Sequence, residues 1–520
     1  MERVALGQWF DRNPEVNAPA LSNILGRLEV GFNTDLRAPI LESLDYAEAA
    51  AILQSYVGPA PYAALSTLDD EERSKMGTRS VILPWEERKG NLEAYWGSAS
   101  ELRDADYELL NSSGIFLCGI GPTRALRPIS LNQSFERSVK GSNLGLPLLT
   151  SDPESAQPYL ERARTLLLEP DFEPEEGFYP YVPFTRGQAS GGPVAKARFV
   201  WGADHAESYL AGMFTPVVLD MLRNQKGFSA WSNLDVVDQA VSSILRRPGV
   251  KYSIDFSGFD SSLPSAVTTE VFFCIASWFQ LPYVAILSSL HSSFIGLGMV
   301  TPEGLWDGRD GGVPSGSGFT NLVDSLANLF VMRYASARLG TSLLDYEVMG
   351  DDGVYRIKGD PDLSELADVL QEVGMTLNTE KTMTSESEVH YLQRLHSREY
   401  EARGLYPGVR SPYRTLNGML TYERLRQDWN EYYDTARWIM QVENSRNDPR
   451  FAELVRFLFD HDKVLQDVDA LSALRQVSSS TRILRDKVGV DPLRQEVESD
   501  VGTLKTMDTV AALRELKAAS

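Results

Sequence analysis

Two cysteines in 520 residues leave little for covalent cross-linking or thiolate chemistry. A disulfide framework of the kind that replaces a core in small secreted domains is excluded, and so is a thiolate zinc site. Cys118 and Cys274 fall in two apolar contexts, Phe116-Leu117-Cys118 and Phe273-Cys274-Ile275, which suggests a reducing, intracellular setting. Histidine is also scarce: His205, His291, His390, His396 and His461 are dispersed, and no pair has the spacing of a metal-binding helix. Positive charge is short as well, with Lys plus Arg at 50 against Asp plus Glu at 72, a net −22. That excludes an unspecialised nucleic-acid coat, which needs a basic surface to displace counterions. It leaves room for an acidic shell around a locally basic channel.

No basic-then-apolar stretch opens the chain, so a signal peptide is not expected. One uncharged run, Val271 to Pro302, is long enough to weigh as a membrane span. Gln280, Pro282, His291 and several serines interrupt it, and a bilayer core would leave those groups unsatisfied. It reads as buried helices, and a soluble protein with no membrane partner is expected. What the chain does have is 43% hydrophobic residues, enough to bury a large core. Its length suggests about three domains at roughly 150 residues each.

Ile40 to Leu53 reads as a helix closed by Gly58-Pro59-Ala60-Pro61. Residues 152–183 are proline-rich and acidic, centred on Glu169-Pro170-Asp171-Phe172-Glu173-Pro174-Glu175-Glu176, and read as a solvated surface loop. The charge then inverts: no acid occurs between Glu176 and Asp204, while Arg186, Lys196 and Arg198 occupy a glycine-rich stretch. Short strands and helices alternate over about 245–400. Beyond 415 the chain turns helical, with Leu425, Trp429, Tyr432, Ala436, Ile439 and Met440 on one face, then Phe451, Leu454, Val455 and Leu458.

Tyr346 to Ile357 is a hairpin candidate, two β-prone runs flanking Gly350-Asp351-Asp352-Gly353. Two adjacent carboxylates at a hairpin tip repel unless a cation lies between them. Upstream, Val250, Tyr252 and Ile254 alternate with Lys251, Ser253 and Asp255, a strand ending on a carboxylate, and Asp260 follows. A strand-end acid beside a hairpin-tip pair is an oxygen-only site for hard cations, magnesium above all. Two such ions about 4 Å apart suit activation of a 3′-hydroxyl and neutralisation of a departing pyrophosphate.

Taken in order, Asp255-x4-Asp260, Ser315-Gly316-x-x-x-Thr320 and Gly350-Asp351-Asp352 resemble motifs A, B and C of viral RNA-dependent RNA polymerases. The cues Ser253 to Ser262 and Gly312 to Asn321 are picobirnavirus-like, with a partitivirus-like reading second. The resemblance implies an α+β right-hand polymerase of fingers, palm and thumb, with an antiparallel palm sheet closed by an N-terminal segment. It implies bounds of 1–60 for that segment, 61–245 for the fingers and 246–264 for the palm around motif A. A fingers insertion at 265–310, the rest of the palm at 311–400, and the thumb with a C-terminal tail at 401–520 complete it.

Residue by residue, the resemblance implies that Asp255 and Asp351 are metal ligands, with Asp352 as a weaker or second one. Asp260 resembles the carboxylate that senses the ribose hydroxyls, a 2′-OH being both donor and acceptor. Ser315, Gly316 and Thr320 match the nucleotide-binding loop and helix start of motif B. The family's asparagine four residues after the threonine is Asp324 here, so the sugar-sensing partner is open between Asn321, Asp324 and Ser325. Lys381 matches the motif D general acid that protonates pyrophosphate. Arg186, Lys196 and Arg198 resemble the cations of motif F that hold the triphosphate. Ser142, Gly145 and Pro147 resemble the template-guiding motif G, and Val389 to Leu395 the motif E hairpin.

The expected cofactor is Mg2+, with Mn2+ as a substitute. The expected partners are template and product RNA, ribonucleoside triphosphates and a viral capsid protein, the enzyme acting as a monomer in the virion interior and host cytoplasm. Two other readings stay open. A reverse transcriptase usually carries Tyr-x-Asp-Asp and an aromatic at the sugar position, where this chain has Gly350 and Asp260. A non-enzymatic, capsid-associated RNA-binding scaffold would retain RNA without synthesis, its acids holding structural cations.

Overall fold

The structure, a computed structural model, describes residues 1–97, 102, 105–138, 141–424, 429–478 and 503–520. Among these the strands are β1 (Glu2–Val4), β2 (Val182–Gln188), β3 (Lys196–Gly202), β4 (Lys251–Ile254), β5 (Met299–Thr301) and β6 (Gly304–Asp307). They continue with β7 (Leu343–Met349), β8 (Asp352–Ile357), β9 (Met383–Ser385), β10 (Glu388–Tyr391) and β11 (Arg394–Ser397). The widest sheet has the order β7-β8-β4-β9, antiparallel throughout. Two hairpins, β2–β3 and β10–β11, flank it, and β1-β6-β5 forms a small sheet at the N-terminus.

β4 is buried on both faces rather than alternating, because β10 covers its second side. Ser253 on that side accepts the His390 N–H at 2.8 Å. The Lys251 ammonium is buried too, donating to the carbonyls of Arg247, Gly249 and Glu386 at 2.7–2.8 Å. A buried amine survives there because every donor finds a carbonyl. Behind the sheet runs the helix Thr320–Arg338, buried along most of its length against the helices Tyr107–Cys118 and Ser265–Trp278 and against β7.

A second core joins residues 38–57 to the helical C-terminal region. The helix Tyr46–Val57 begins six residues later than the apolar pattern suggests. Asp45 sets that start, its side chain accepting from the Glu48 N–H while Glu48 accepts from the Asp45 N–H. Its apolar face meets Pro412–Leu420 and Phe451–His461. The preceding chain is stitched on both sides: Phe32 and Ile82 exchange backbone hydrogen bonds at 2.7 and 2.9 Å. Ala38 donates to Leu420 and Tyr422 to Leu36, at 2.8 and 2.9 Å. A third cluster sets Trp9, Leu21 and Leu25 against Leu146, Val182 and Val300.

Three sequence expectations need correction. Residues 152–183 are not a loop throughout: Gln157–Leu168 is a helix that buries Tyr159, Leu160, Ala163 and Leu166. Helical spacing of those four outweighs the acidic, proline-rich composition around them. Cys118 and Cys274 are paired in a disulfide, their Cα atoms 4.6 Å apart. The two apolar contexts are one, since Tyr107–Cys118 packs on Ser265–Trp278. Beyond 415, the helix Glu431–Glu443 starts after Trp429, and Leu425 lies outside the described residues.

Among the described residues no helix is long and apolar enough to cross a membrane. The uncharged run from Val271 is divided among the helices Ser265–Trp278 and Val284–Gly296 and strand β5.

Glu347 on β7 is buried, accepting from the Ser229 N–H at 3.0 Å and the Ser229 hydroxyl at 2.5 Å. Burial pushes its carboxyl up to about 7 against those bonds. A raised carboxyl favours folding fully below the unfolded value near 4.5, and the benefit is lost as pH rises to about 7. The loss amounts to about 3 kcal/mol. Glu347→Gln is therefore expected to gain melting temperature relative to the parent at pH 8 compared with pH 5, read by thermal denaturation at both.

Candidate active site

β4 and β8 pair in register, with Ile254 opposite Gly353, so the next residue of one strand, Asp255, stands across from the start of the other. β7 and β8 close through a two-residue turn, Gly350-Asp351, with Met349 paired to Asp352. Asp352 thus opens β8 instead of sharing the tip. Gly350 turns the chain at φ 63°, a conformation only glycine adopts without strain at the first position of so tight a hairpin. Burial and the Asp351 charge raise the Asp255 carboxyl, while the Lys381 and Lys196 charges lower it. Asp255, Asp351, Lys381 and Lys196 therefore share one electrostatic neighbourhood.

Two groups hold the turn: Asn328, which sequence reasoning missed, and Ser325, which it weighed only as a sugar-sensing partner. Asn328, on the helix Thr320–Arg338, donates to the carbonyls of Gly350 and Asp351 at 3.1 Å each, and its Oδ1 accepts the Tyr355 hydroxyl at 2.7 Å. Ser325, one turn earlier, accepts the Gly350 N–H at 2.8 Å and donates to the Asn321 carbonyl. The signal available was an asparagine in the middle of an apolar helix, where it is disfavoured without a partner. On the other side, Asp255 is held through its backbone by the Thr382 hydroxyl at 3.1 Å and the Asn378 N–H at 2.8 Å. Lys381 lies in that same loop, its side chain exposed.

Asp260 is the second residue of the short helix Phe259–Ser262, and its carbonyl accepts the Val313 N–H at 2.7 Å, tying it to the glycine-rich loop before Thr320. Arg309, buried and also missed, anchors that loop by donating to the carbonyls of Phe294, Leu297, Gly311 and Gly312. Its guanidinium lies 5.0 Å over the Trp201 ring. Ser315 accepts the Trp201 N–H at 3.1 Å, and a methyl on Gly316 would overlap the Trp201 carbonyl. The motif B loop is thus pressed onto β3 of the basic hairpin. Thr320 donates to the Pro314 carbonyl at 2.6 Å, closing the loop on itself.

Of the three candidates for the sugar-sensing partner, Asp324 is the one placed against Asp260. It is buried, and its Oδ1 finds no donor among the described residues. Burial, then Asp260 and Asp351, push its carboxyl well up, and burial with the Asp351 charge raises Asp260 to about 6. The repulsion anticipated between two acids at one sugar is thus present, and it disfavours their being ionised together. Asn321 instead borders the Gly350 turn, its Oδ1 3.6 Å from where a Cβ there would stand.

On the hairpin, Arg186 and Arg198 sit directly opposite each other, and Gln188 faces Lys196. Arg198 lowers the Asp260 carboxyl, so this face of the hairpin looks onto the acids. Ser142, Gly145 and Pro147 lie farther back, Ser142 bonded to His205 at 3.3 Å and Pro147 accepting the Asn17 N–H at 2.9 Å.

The family profile described as viral RNA-dependent RNA polymerase matches residues 192–443, which contain every acid above. A potential RNA-dependent RNA polymerase of human picobirnavirus (strain Human/Thailand/Hy005102/-) is 25% identical over 432 residues, 77% of this chain and 76% of that one. This chain is a picobirnavirus-like viral RNA-dependent RNA polymerase.

The polymerase superposes on the crystal structure of a human picobirnavirus RNA-dependent RNA polymerase with a TM-score of 0.82, covering 99% of this chain and 100% of the other at 21% identity. Sicinivirus 3Dpol is more distant, with a TM-score of 0.58 at 14% identity, covering 82% of this chain and 89% of the other. The fold is accordingly the α+β right hand, with the β7-β8-β4-β9 sheet as its palm. Polymerases of this family use divalent metal ions and bind RNA and nucleotides. Among the described residues no three His, Cys, Asp or Glu side chains form a self-contained metal cage. The raised Asp255 beside Asp351 nonetheless fits such ions, since carboxylates gathered around substrate phosphates and water suffice for a small hard cation.

Proposed function

We propose that the polymerase copies and transcribes a double-stranded RNA genome by two-metal nucleotidyl transfer, with magnesium as the resident ion and manganese as a substitute. The convergence of Asp255 at the end of β4 with Asp351 at the β7–β8 turn carries this reading. Bound there, divalent ions would lower the barrier to 3′-hydroxyl attack and offset charge on the departing pyrophosphate. The chain's own groups do the rest. Asn328 and Ser325 fix the turn that presents Asp351. Arg186, Lys196 and Arg198 hold the triphosphate against the acids, and Lys381, close enough to bias Asp255, donates the proton to pyrophosphate.

Asp260 accepts from the ribose, with Asp324 facing it at the place where the family carries an asparagine. Ser315, Gly316, Thr320 and Asn321 shape the nucleotide's seat, with Asp352 as second ligand. Ser142, Gly145 and Pro147 guide template. On the same family grounds we place it as a monomer in the virion interior and host cytoplasm, docked to capsid protein.

Template-dependent incorporation, run with ribo- and deoxyribonucleotides and with chelator, Mg2+ or Mn2+, tests the reading. Chelation is expected to stop synthesis, either ion to restore it, and ribonucleotides to be preferred at least tenfold. A preference for deoxynucleotides would move the enzyme to the reverse transcriptases, and RNA retention without synthesis would make it a scaffold.

A further inference from the structure

Glu207 is a buried acid to which the chemistry above gives no role. It lies in the first turn of the helix His205–Leu222, just past β3, and only 5% of it reaches solvent. Its Oε1 accepts the Ser317 hydroxyl at 2.6 Å, while Oε2 takes no hydrogen bond of ordinary geometry among the described residues. Burial pushes the carboxyl up to about 7, against the pull of Ser317 and of the Gly318 N–H. A carboxyl bonded on one side only is costly in a core, and an apolar side chain of the same size would not carry that cost. What the acid does have is one short, directed bond to the motif B loop. Ser317 is the hub of that loop: its hydroxyl oxygen accepts the Phe319 N–H at 3.2 Å and its carbonyl the Thr320 hydroxyl at 2.9 Å. It thereby sets the start of the helix Thr320–Arg338, which carries Asp324 and Asn328.

The loop rests on one stretch of chain, Trp201 to Ala211. Ser315 accepts the Trp201 N–H, Gly316 lies against the Trp201 carbonyl, and a methyl on Gly318 would stand 2.6 Å from the Ala211 side chain. Of these contacts, the one from Glu207 alone is made by an ionisable side chain. Asp204 fixes the stretch, accepting the Ala206 N–H at 2.9 Å and pairing with Arg162. The same stretch continues the strand that carries Lys196 and Arg198, whose charges act on Asp255 and Asp260. Resting on the reading of the nucleotide's seat above, we infer that Glu207 is a positioning residue. Its bond to Ser317 holds the motif B loop in register with the cations of β3, so that the ribose and the triphosphate of one incoming nucleotide are gripped together. Without that bond the loop samples other placements, and the nucleotide must select the fitting one before it binds. Affinity falls, while the geometry once bound, and with it the chemical step, is nearly kept.

Glu207→Met, Glu207→Gln, Ser317→Ala and the double variant Glu207→Met/Ser317→Ala test this against the parent. Single-nucleotide incorporation is measured on a primed RNA template with KM and kcat resolved, alongside melting temperature. Glu207→Met is expected to raise KM for the incoming nucleotide at least about tenfold, with kcat within about threefold of the parent. The double variant is expected to raise KM no further, because both changes break the same bond. Both partners are then apolar, so its melting temperature is expected to match the parent's. Glu207→Gln, whose amide oxygen still accepts from Ser317, is expected to restore KM to within about threefold. An unchanged KM in the double variant would overturn the inference. So would losses confined to kcat and melting temperature, the pattern of a group that only fills the core, or equal losses in Glu207→Gln and Glu207→Met. Arg198→Gln is the control for the seat itself: an unchanged KM there removes the reading on which the inference rests. A raised KM in Arg198→Gln beside an unchanged one in Glu207→Met removes the role of Glu207 alone.

Discussion

Asp351→Asn is expected to lower templated incorporation about a thousandfold while leaving the melting temperature unchanged or higher. The two effects have one cause. Asp351 raises the carboxyls of Asp255, Asp260 and Asp324, so in the protein alone it is a source of repulsion. Asparagine keeps the shape, removes that repulsion and gives up the anionic oxygen that a metal requires. Charge stabilisation by a bound metal is worth several kcal/mol, and each 1.36 kcal/mol is a factor of ten. A scaffold whose acids bind structural cations predicts the reverse pattern, with stability lost on substitution. Paired incorporation and melting measurements, with and without Mg2+, distinguish the two.

Gly316→Ala is expected to cost about a hundredfold in incorporation with the fold retained, and Ser315→Ala less than tenfold. The added methyl would overlap the Trp201 carbonyl, so either β3 or the loop must move. Trp201 is wedged among Tyr95, Tyr181 and Arg309 with ring separations of 4.8–5.2 Å. The loop therefore yields, carrying the start of the helix Thr320–Arg338 away from the acids. Displacing a positioning element by about 1 Å is enough for a loss of this size. Ser315→Ala removes only the hydrogen bond from the Trp201 N–H. Single-nucleotide incorporation rates, with circular dichroism to check folding, decide the order of the two variants.

The acids were legible because their pattern is local. A strand ending on Asp255 and a hairpin around Gly350-Asp351 each follow from a dozen residues, and their order along the chain carried the resemblance. Even there the finer placement of Asp352, first in β8 rather than at the tip, depended on which residue takes the positive φ. Asn328 and Arg309 were invisible for a different reason. Their partners are backbone groups 22 residues away, or carbonyls on separate elements, which no spacing rule joins. The Cys118–Cys274 pair spans 156 residues and arises only from helix packing. At 157–168 composition misled, because four buried apolar side chains at helical spacing outweigh a run of acids and prolines.

The stitching of residues 32–38 to Ile82 on one side and to Leu420 and Tyr422 on the other joins two walls of the molecule by backbone hydrogen bonds. A template that has to enter between walls so laced is expected to do so end-first, and a circular RNA is then expected to be copied less well than its linear form, which incorporation on the two templates reads directly.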